Sequence, residues 1–328
     1  MTPLLEVRGL ARHYRVRRPG GLWGRTAVLK AVDGVSFAIG RGRTLGLVGE
    51  SGCGKSTAAR LALGLLPATS GDVLFDGQPL STRQDAAWRA SRRKLQLVFQ
   101  DTLGALDRRL PIGLQIMEPL DIHGIGTRAE RLEKTKDLFT AVGLLPHMFD
   151  RYPHELSGGQ RQRVVLARAL VAQPALIACD EPISALDVSI QAQVINLLHD
   201  LREQFGVAYL FISHDLRVVR QVSDEVAVMY LGRIVEQGTP DRLFRQPEHP
   251  YTRALVSAIP VATPNRARQR IILKGDPPSP VDVPAGCAFH PRCALAGPRC
   301  RVETPALRSM PGGHRVACHL AGETAAAA

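Results

Sequence analysis

The stretch Gly49-Glu50-Ser51-Gly52-Cys53-Gly54-Lys55-Ser56 decides the fold of this chain. It fits the pattern G-x-x-x-x-G-K-[ST], in which backbone N–H groups and a following helix N-terminus converge on phosphate oxygens. A short apolar run, Thr44–Val48, precedes the stretch, and a helical pattern that continues to Leu66 and stops at Pro67 follows it. This context predicts a nucleotide phosphate-binding loop (the P-loop) rather than a glycine-rich turn that binds nothing.

Each polar position of the P-loop has an expected role. Lys55 is predicted to neutralise charge on the β- and γ-phosphates, and Ser56 is predicted to ligate Mg²⁺. Cys53 lies at a helix N-terminus, where the pKa of a thiol is lowered, so oxidation is one interpretation and small-residue filling is the favoured one. The residues predicted to contact the nucleotide here are Gly49, Ser51, Gly52, Cys53, Gly54, Lys55, Ser56 and Thr57.

Apolar runs and helical patterns alternate along the chain after the P-loop. Ala175–Cys179 and Val207–Ser213 are apolar runs bounded by polar turns, and the segment between them predicts a helix over Ser189–Phe205. Val226–Tyr230 and Arg233–Glu236 predict a closing hairpin. The alternation predicts an α/β fold with a parallel sheet that helices cover on both faces.

The two ends of the chain differ from this pattern. Val7–Val16 and Val28–Ile39 predict strands around a loop at Arg17–Arg25. From Pro260 onward the composition is rich in Pro, Arg and Cys with little periodicity, which predicts a separate small appendage and no further sheet. We therefore expect a nucleotide-binding domain over residues 1–259 and an extension over 260–328.

A helical insertion is predicted between the P-loop and the later strands. About residues 101–170 contain no strong strand pattern, whereas Ala129–Val142 and Gly159–Ala172 predict helices. The second of these helices opens with Leu156-Ser157-Gly158-Gly159-Gln160, where Ser157 suits an N-cap and the glycine N–H groups suit an anion. One nucleotide needs one phosphate site, so this stretch is predicted to face the γ-phosphate held by a second chain in a head-to-tail dimer. The alternative is an ordinary capped helix.

Two acidic residues, Asp180 and Glu181, follow the buried run Ala175–Cys179. Asp180 is predicted to hold Mg²⁺ through water, and Glu181 to polarise an attacking water. An acidic cap on a strand is the alternative, which is less plausible beside a P-loop.

Length and charge narrow the class of protein. The chain has 328 residues and a formal net charge of +12, and its length allows about two domains. The basic excess lies in residues 1–45 and 264–328, whereas residues 46–263 carry 24 charges of each sign. A strongly basic protein suggests a nucleic-acid partner, but no aromatic residues interleave the basic clusters, so we expect no nucleic-acid partner.

No apolar stretch nears the roughly 20 residues of a membrane span and no signal pattern opens the chain, which predicts a cytoplasmic protein.

Four of the six cysteines cluster in the last 42 residues, with the spacing C-x5-C-x6-C-x17-C. Without an export signal disulfides are disfavoured, so a metal or cluster site is the expectation. The spacing supports four thiolate ligands without choosing the metal, and four reduced structural thiols are the alternative. The residues concerned are Cys287, Cys293, Cys300 and Cys318.

Together these motifs resemble the ATP-binding cassette (ABC) family over about residues 4–245. The further matches are the D-loop Ser184-Ala-Leu-Asp187, the switch histidine His214 and the Q-loop Gln100. The resemblance implies an ABC-type P-loop NTPase with an N-terminal antiparallel β subdomain and a helical insertion. It also implies that His214 contacts the γ-phosphate and positions Glu181, and that Gln100 senses Mg²⁺ and water beside a membrane subunit.

The same resemblance extends to the dimer and to the nucleotide base. It implies that Asp187 communicates between the two subunits of the dimer. It also implies that the partner's nucleotide is bound by Ser157, Gly158, Gly159 and Gln160. Tyr14 matches the aromatic residue that stacks on adenine, and a core aromatic in a strand is the alternative. ATP and Mg²⁺ are the implied ligands.

A narrower resemblance covers nearly the whole chain and concerns the ATPase subunits of oligopeptide and dipeptide permeases. It rests on Gly46-Leu-Val-Gly-Glu-Ser-Gly-Cys53, Arg151-Tyr-Pro-His154, Glu181-Pro-Ile-Ser-Ala-Leu-Asp-Val-Ser189, His249-Pro-Tyr-Thr252 and Pro277-Pro-Ser-Pro280. The chain is similar to the second, F-type ATPase of such systems. This implies peptide uptake from a substrate-binding protein, a heterodimer with another ATPase, two membrane subunits and a peripheral position on the cytoplasmic face of the inner membrane.

The narrower resemblance also bears on the cysteines and on the solute. It favours a [4Fe–4S] cluster over zinc at the four-cysteine site. The loop Asp101-Thr-Leu-Gly-Ala-Leu-Asp107 departs from the family's usual form, so an importer of nickel or another small solute is the alternative within the family. An ABC protein of DNA repair or translation is disfavoured, because such chains usually carry two cassettes or long coiled coils and this sequence shows neither.

Overall fold

A computed structural model describes residues 2–17, 26–184, 186–259 and 270–322. The loop predicted at Arg17–Arg25 falls, after Arg17, outside the described residues. The strands are β1 Leu5–Arg17, β2 Thr26–Ile39, β3 Thr44–Val48, β4 Ser70–Phe75, β5 Gln78–Pro79, β6 Leu95–Val98, β7 Leu176–Asp180, β8 Ala208–Ser213, β9 Glu225–Tyr230, β10 Arg233–Gly238, β11 Arg308–Ser309 and β12 Arg315–Val316. The helices are α1 Lys55–Ala62, α2 Ala86–Lys94, α3 Ile112–Ile122, α4 Arg128–Ala141, α5 Gly158–Leu170, α6 Val188–Phe205, α7 Leu216–Val222, α8 Pro240–Arg245, α9 Pro250–Ser257 and α10 Pro298–Val302.

The central sheet has the strand order β11-β12-β10-β9-β3-β8-β7-β6. Strands β9, β3, β8, β7 and β6 run parallel, and β10 returns antiparallel to β9 as the predicted hairpin. The α/β fold with a parallel sheet is therefore confirmed. All residues of β3, β7 and β8 are buried, as expected for strands that are covered on both faces.

Alternation along each strand divides the core between the two faces of the central sheet. In β8, Leu210 and Ile212 join the apolar cluster formed with β1, β2 and α1, whereas Tyr209 and Phe211 join the cluster formed with α5 and α6. Successive side chains of a strand point to opposite faces, so one apolar run serves both layers. The stripe predicted on α6, from Val194 to Leu201, is buried against the second cluster.

The N-terminal antiparallel sheet is confirmed and has the order β2-β1-β4-β5. Its two long strands match the predicted ones, but β4 and β5 were not predicted. All residues of these two strands are exposed or only half-buried, so they carry little of the apolar alternation that marks a strand.

The predicted helical insertion is confirmed, with two differences in its helices and their neighbours. Between α2 and β7 it contains α4 and α5 near their predicted bounds and also α3, which was not predicted and which contains Pro119. Upstream, α1 ends at Ala62 and not at the predicted Leu66, because Gly64 takes a left-handed backbone with φ of 65°. A glycine at this position lets the chain turn so that the following N–H groups satisfy the last carbonyls of the helix, and it ends the helix before Pro67.

The prediction that the chain adds no sheet after Pro260 is wrong. Strand β12 pairs antiparallel with β10, through Glu236 opposite Val316, and β11 pairs with β12. Each of these strands has two residues, which is too short to leave a periodic pattern in the sequence. They cover the edge of β10, whose backbone groups would otherwise stay unpaired.

The extension also contributes to the main core through Phe289. Its ring is almost fully buried and lies edge-on to Tyr230, with the ring centroids 5.3 Å apart. The rings of Tyr251 and His249 lie 5.5 and 5.6 Å away. Aromatic contacts of this kind add to the burial of a large apolar area. The extension and the nucleotide-binding domain therefore share one core at this point.

We predict that Phe289→Ala lowers the free energy of unfolding of the whole chain by about 3–5 kcal/mol, because it leaves a cavity among three rings. Urea unfolding followed by circular dichroism measures this. The matched control is Val302→Ala in the same extension, whose side chain is 81% exposed and whose substitution should change stability by less than about 0.5 kcal/mol. An early transition for the extension alone, with the main transition unchanged, would contradict the shared core.

Candidate functional site

The P-loop joins β3 to α1 and is shaped by close backbone approaches. At Gly54, φ is 107° and a Cβ would lie 2.1 Å from the carbonyl oxygen of Ala31. No side chain fits there, so glycine is required. Lys55 is buried, and its Nζ donates to the carbonyl oxygens of Gly49 at 2.9 Å and Glu50 at 3.0 Å. The ammonium group is thus held across the mouth of the loop.

A hydroxyl and a carboxylate form the second part of the site. Ser56 Oγ donates to Asp180 Oδ1 at 2.8 Å, which joins the first turn of α1 to the end of β7. Burial raises the pKa of Asp180, and the hydrogen bond from Ser56 opposes that shift. Oxygen ligands of this kind are those that Mg²⁺ prefers, so the residues present fit the predicted metal.

Three predicted residues meet at a single carboxylate oxygen. Gln100 Nε2 donates to Glu181 Oε2 at 3.3 Å, and His214 Nδ1 lies 3.1 Å from the same atom. Glu181 itself has a positive φ of 48°, and its N–H donates to the carbonyl of Ile212 at 3.0 Å. The carboxylate is therefore aimed by its backbone and by two side chains, an arrangement suited to orienting and activating a water molecule.

The stretch Ser157–Gln160 forms the capped start of α5. Ser157 accepts from the N–H of Gln160 at 3.3 Å, and Gln160 Oε1 accepts from the N–H of Ser157 at 2.9 Å. This capping box confirms Ser157 as the N-cap. A Cβ on Gly159 would lie 2.7 Å from Ile190 Cγ2, so the glycine lets the helix start approach α6. Binding of a partner's phosphate by Gly158 and its neighbours stays a prediction.

The remaining predicted contacts lie on separate elements. Asp187 is the N-cap residue of α6, is exposed and makes no capping bond through its side chain. Thr57 lies half-buried in the first turn of α1. Tyr14 is half-buried in β1, and the guanidinium of Arg12 lies 4.6 Å from its ring centroid. The adenine-stacking role of Tyr14 stays a prediction.

The expectation of a lowered thiol pKa at Cys53 is wrong. Cys53 is buried, and burial raises the pKa of its thiol despite the charge of nearby Lys55. A Cβ on Gly49 would lie 2.8 Å from the Cys53 sulfur, so the thiol fills space against the loop. The favoured interpretation of Cys53 as a small filling residue agrees with this packing.

The four clustered cysteines are near one another and are not joined as disulfides. Burial raises the pKa of Cys287 to about 11, a hydrogen bond from the backbone of Phe289 opposes this shift, and the other three thiols add to it. Within the described ranges, however, no group of three or more His, Cys, Asp or Glu side chains is arranged to hold a metal ion. The predicted metal or cluster site is therefore not confirmed.

Two contacts on the P-loop were missed by sequence reasoning. Tyr251 Oη accepts from the N–H of Glu50 at 2.8 Å, and Arg292 donates two hydrogen bonds to the Glu50 carboxylate. Tyr251 belongs to the His249–Thr252 stretch, whose resemblance was noted without a role. Arg292 stands 242 positions from Glu50, and no local pattern marks the pair.

The P-loop, the acidic pair at the end of β7, and a parallel sheet with an antiparallel subdomain and a helical insertion define an ABC-type ATPase. The ABC transporter family model matches residues 32–184. The solved structure of cbiO1 from Clostridium perfringens, part of an ABC transporter complex, is 27% identical, with a TM-score of 0.64 over 74% of this chain and 91% of that one. A dimeric ATP-binding cassette in a post-hydrolysis state with ADP and Pi is 26% identical, with a TM-score of 0.63 over 72% and 98%.

More specific matches cover the C-terminal part and the full length. Residues 235–300 match the model of the oligopeptide/dipeptide transporter C-terminal region. A probable peptide ABC transporter ATP-binding protein, y4tS of Sinorhizobium fredii, is 51% identical over 99% of this chain and 92% of its own length. The oligopeptide transport ATP-binding protein AppF of Bacillus subtilis is 50% identical over 97% of both chains. The chain therefore belongs to the family of peptide ABC transporter ATP-binding proteins.

Both family resemblances drawn from the sequence are thus confirmed, and the chain is an ATPase. Its described part includes no helix that has both the length and the apolar character needed to cross a bilayer.

We predict that Glu181→Gln lowers ATP turnover by at least about 100-fold, because only the group that activates water is lost. The dissociation constant for ATP should stay within about threefold, since the P-loop is untouched. Hydrolysis in the assembled transporter and equilibrium binding of a fluorescent ATP analogue measure the two quantities. The control is Glu203→Gln, which makes the same change from carboxylate to carboxamide at an exposed position on α6. Near-normal hydrolysis by Glu181→Gln would contradict the assigned role.

Proposed function

We propose that this chain powers the uptake of dipeptides or oligopeptides through an ABC importer by hydrolysing ATP. The observation that carries the proposal is the match of residues 235–300 to the C-terminal region of oligopeptide/dipeptide transporters. That region contains Tyr251 and Phe289, which pack into the nucleotide-binding part of this chain. The names of relatives such as AppF agree with the same solute class.

The site residues divide the hydrolysis of ATP between binding and activation of water. Lys55 and the P-loop N–H groups bind the phosphates, while Glu181 accepts a proton from the attacking water and His214 and Gln100 hold Glu181 in place. Ser56, Gln100 and, through water, Asp180 would hold Mg²⁺, which would supply positive charge to the phosphate oxygens. Tyr14 stacks on the adenine ring.

A second ATPase chain completes the site in this proposal. Ser157, Gly158, Gly159 and Gln160 of one chain face the γ-phosphate bound at the P-loop of the other, and Asp187 reports between the two sites. The side chain of Asp187 is exposed and makes no capping hydrogen bond to α6, which supports such a contact. A related cassette is described as a dimer, which also supports the arrangement. The partner is a different ATPase subunit, so the dimer is a heterodimer with two composite sites.

The surface beside Gln100 is the proposed contact with the membrane subunits. An open groove lies between α2, α3 and the loop 101–107, and its lining includes Phe99, Ile122 and Trp88. Phe99 and Ile122 are exposed apolar side chains, 46% and 70% accessible. Because the loop begins directly after Gln100, a cytoplasmic segment of a membrane subunit in this groove is coupled to the Glu181 carboxylate. The chain then lies peripherally on the cytoplasmic face of the inner membrane, and the substrate-binding protein acts on the far side.

We predict that the tagged chain purifies from membranes with a second ATPase and two membrane subunits, and that this complex in proteoliposomes imports labelled peptide when ATP is supplied. Stimulation of ATPase activity by peptide-loaded binding protein is the second readout. The same complex with Glu181→Gln should lose uptake, whereas Glu203→Gln should retain it. Uptake of Ni²⁺ without uptake of peptide would favour the nickel alternative, and recovery with nucleic acid in place of membrane subunits would overturn the proposal.

A [4Fe–4S] cluster on Cys287, Cys293, Cys300 and Cys318 is a further part of the proposal, with zinc as the alternative metal. It rests on the spacing of the cysteines and on the permease resemblance. All four cysteines are free thiols and none is joined in a disulfide, which supports it. No step of ATP hydrolysis is assigned to this metal.

We predict that anaerobically purified chain contains iron and acid-labile sulfide in equal amounts, about four of each per chain. Cys300→Ser should lose both, whereas Cys179→Ser, at a buried cysteine of β7, should retain both. Zinc without sulfide would select the alternative metal. Neither metal in the anaerobic protein would contradict a metal site and leave four reduced thiols.

A further inference from the structure

A partly buried ion pair joins the C-terminal extension to the P-loop. Arg292 Nη1 donates to Glu50 Oε2 at 2.8 Å, and Arg292 Nη2 donates to Glu50 Oε1 at 3.0 Å. The side chain of Arg292 is 7% exposed and that of Glu50 is 27% exposed. A bidentate pair of this geometry is stronger and more directional than an ordinary surface ion pair.

The position of Arg292 is fixed by the turn that carries it. The turn His290–Arg292 is closed by hydrogen bonds from the N–H of His290 to the Cys287 carbonyl at 2.9 Å and from the N–H of Arg292 to the Phe289 carbonyl at 3.0 Å. Phe289 is buried, and the Arg292 guanidinium lies 6.0 Å from the ring centroid of Tyr230. The guanidinium is therefore presented to Glu50 with little freedom to move away.

Glu50 is held from both sides. Its N–H donates to Tyr251 Oη and its carboxylate accepts from Arg292, while its carbonyl accepts from Lys55 Nζ at 3.0 Å. The first two partners belong to the C-terminal region, and the third is the lysine expected to bind the phosphates. Movement of the C-terminal region away from Glu50 would release both the backbone and the side chain of this residue of the P-loop.

Charge makes this contact relevant to ATP. A carboxylate in a phosphate-binding loop repels the phosphates of ATP, and the repulsion is strong where water is partly excluded. The Arg292 guanidinium neutralises that charge. The ammonium group of Lys55 is then not needed to pair with the Glu50 carboxylate and stays available for the phosphates. Lysine in the same place would keep the charge and lose the planar fork that binds both carboxylate oxygens.

We propose that Arg292 is a positioning residue of the ATP site, which neutralises Glu50 and fixes the first turn of the P-loop. The extension thereby sets the affinity of the chain for ATP. This inference rests on the ATP-binding part of the proposed function and does not depend on the transported solute or on a metal in the extension.

The test is the dissociation constant of full-length chain for a fluorescent ATP analogue, with competition by ATP. Arg292→Met should weaken binding about tenfold, which corresponds to 1.4 kcal/mol, because the Glu50 carboxylate is left unpaired. The double variant Glu50→Gln with Arg292→Met should bind within about threefold of wild type, since the repelling charge is gone. In the assembled ATPase, Arg292→Met should raise the KM for ATP and leave kcat within about threefold.

A matched control lies in the same extension. Arg299 donates to both carboxylate oxygens of Glu303, at 2.6 and 2.8 Å. The two side chains are exposed and their residues lie four positions apart. Arg299→Met removes an arginine of the same segment and should leave the dissociation constant for ATP unchanged. Thermal unfolding of each variant checks that the chain is folded.

Several outcomes would overturn the proposal. Unchanged ATP binding by folded Arg292→Met would do so, and so would a double variant as weak as the single one, because loss of packing alone would then explain the effect. Should Arg292→Met not fold, Arg292→Lys decides: about threefold weaker binding supports the role of the planar fork, and unchanged binding contradicts it. Wild-type chain that binds no ATP would contradict the proposed function itself.

Discussion

The register of neighbouring parallel strands is the constraint on which the rest of the structure depends. Val48 at the end of β3 lies opposite Ser213 at the end of β8, and Asp180 at the end of β7 lies opposite Ile212. Parallel strands in register bring the loops after them to one edge of the sheet. The P-loop follows β3, the acidic pair lies at the end of β7 and His214 follows β8, so they meet there although the chain separates them widely. The chemistry of the site is a consequence of that pairing.

Burial at this edge makes each polar group depend on a partner. Lys55 is buried and donates to two carbonyls, and Asp180 is buried and accepts from Ser56. An unpaired charge in such a place is costly, so these groups are fixed before the nucleotide binds. Dipoles that are already oriented need no reorganisation when charge develops on the phosphates. Glu181 differs, because its two partners are exposed side chains at the ends of separate elements, and its orientation can follow their movement.

The sequence predicted the parts of this molecule that repeat locally. The run Thr44–Val48 with its glycine-rich loop, and the stripe on α6, carry their own periodicity, so strand, loop and helix could be placed within a few residues. The exposed strands β4 and β5, and the two-residue strands β11 and β12, lack such a pattern and were missed. Only the family resemblance implied that His214 positions Glu181, and the contact of Gln100 with the same carboxylate oxygen was not predicted, because residues far apart in the chain leave no spacing to read. The pair of Arg292 and Glu50 had neither signal.

The extension likewise leaves no local pattern that shows its attachment to the rest of the chain. Its composition is poor in apolar residues, but its few buried ones complete structures that begin elsewhere. The carboxylate of Glu236 on β10 is fully buried and accepts from the N–H groups of Glu248 and His249, at 2.7 and 3.0 Å. His314 of the extension, also fully buried, places Nε2 2.8 Å from the same carboxylate, and Val316 pairs with Glu236 in the sheet. A buried carboxylate deprived of such partners is strongly destabilising. The extension is therefore attached in different ways: the contacts at Glu236, like the Phe289 core, secure its docking, and the contact at Glu50 connects the docked segment to the P-loop.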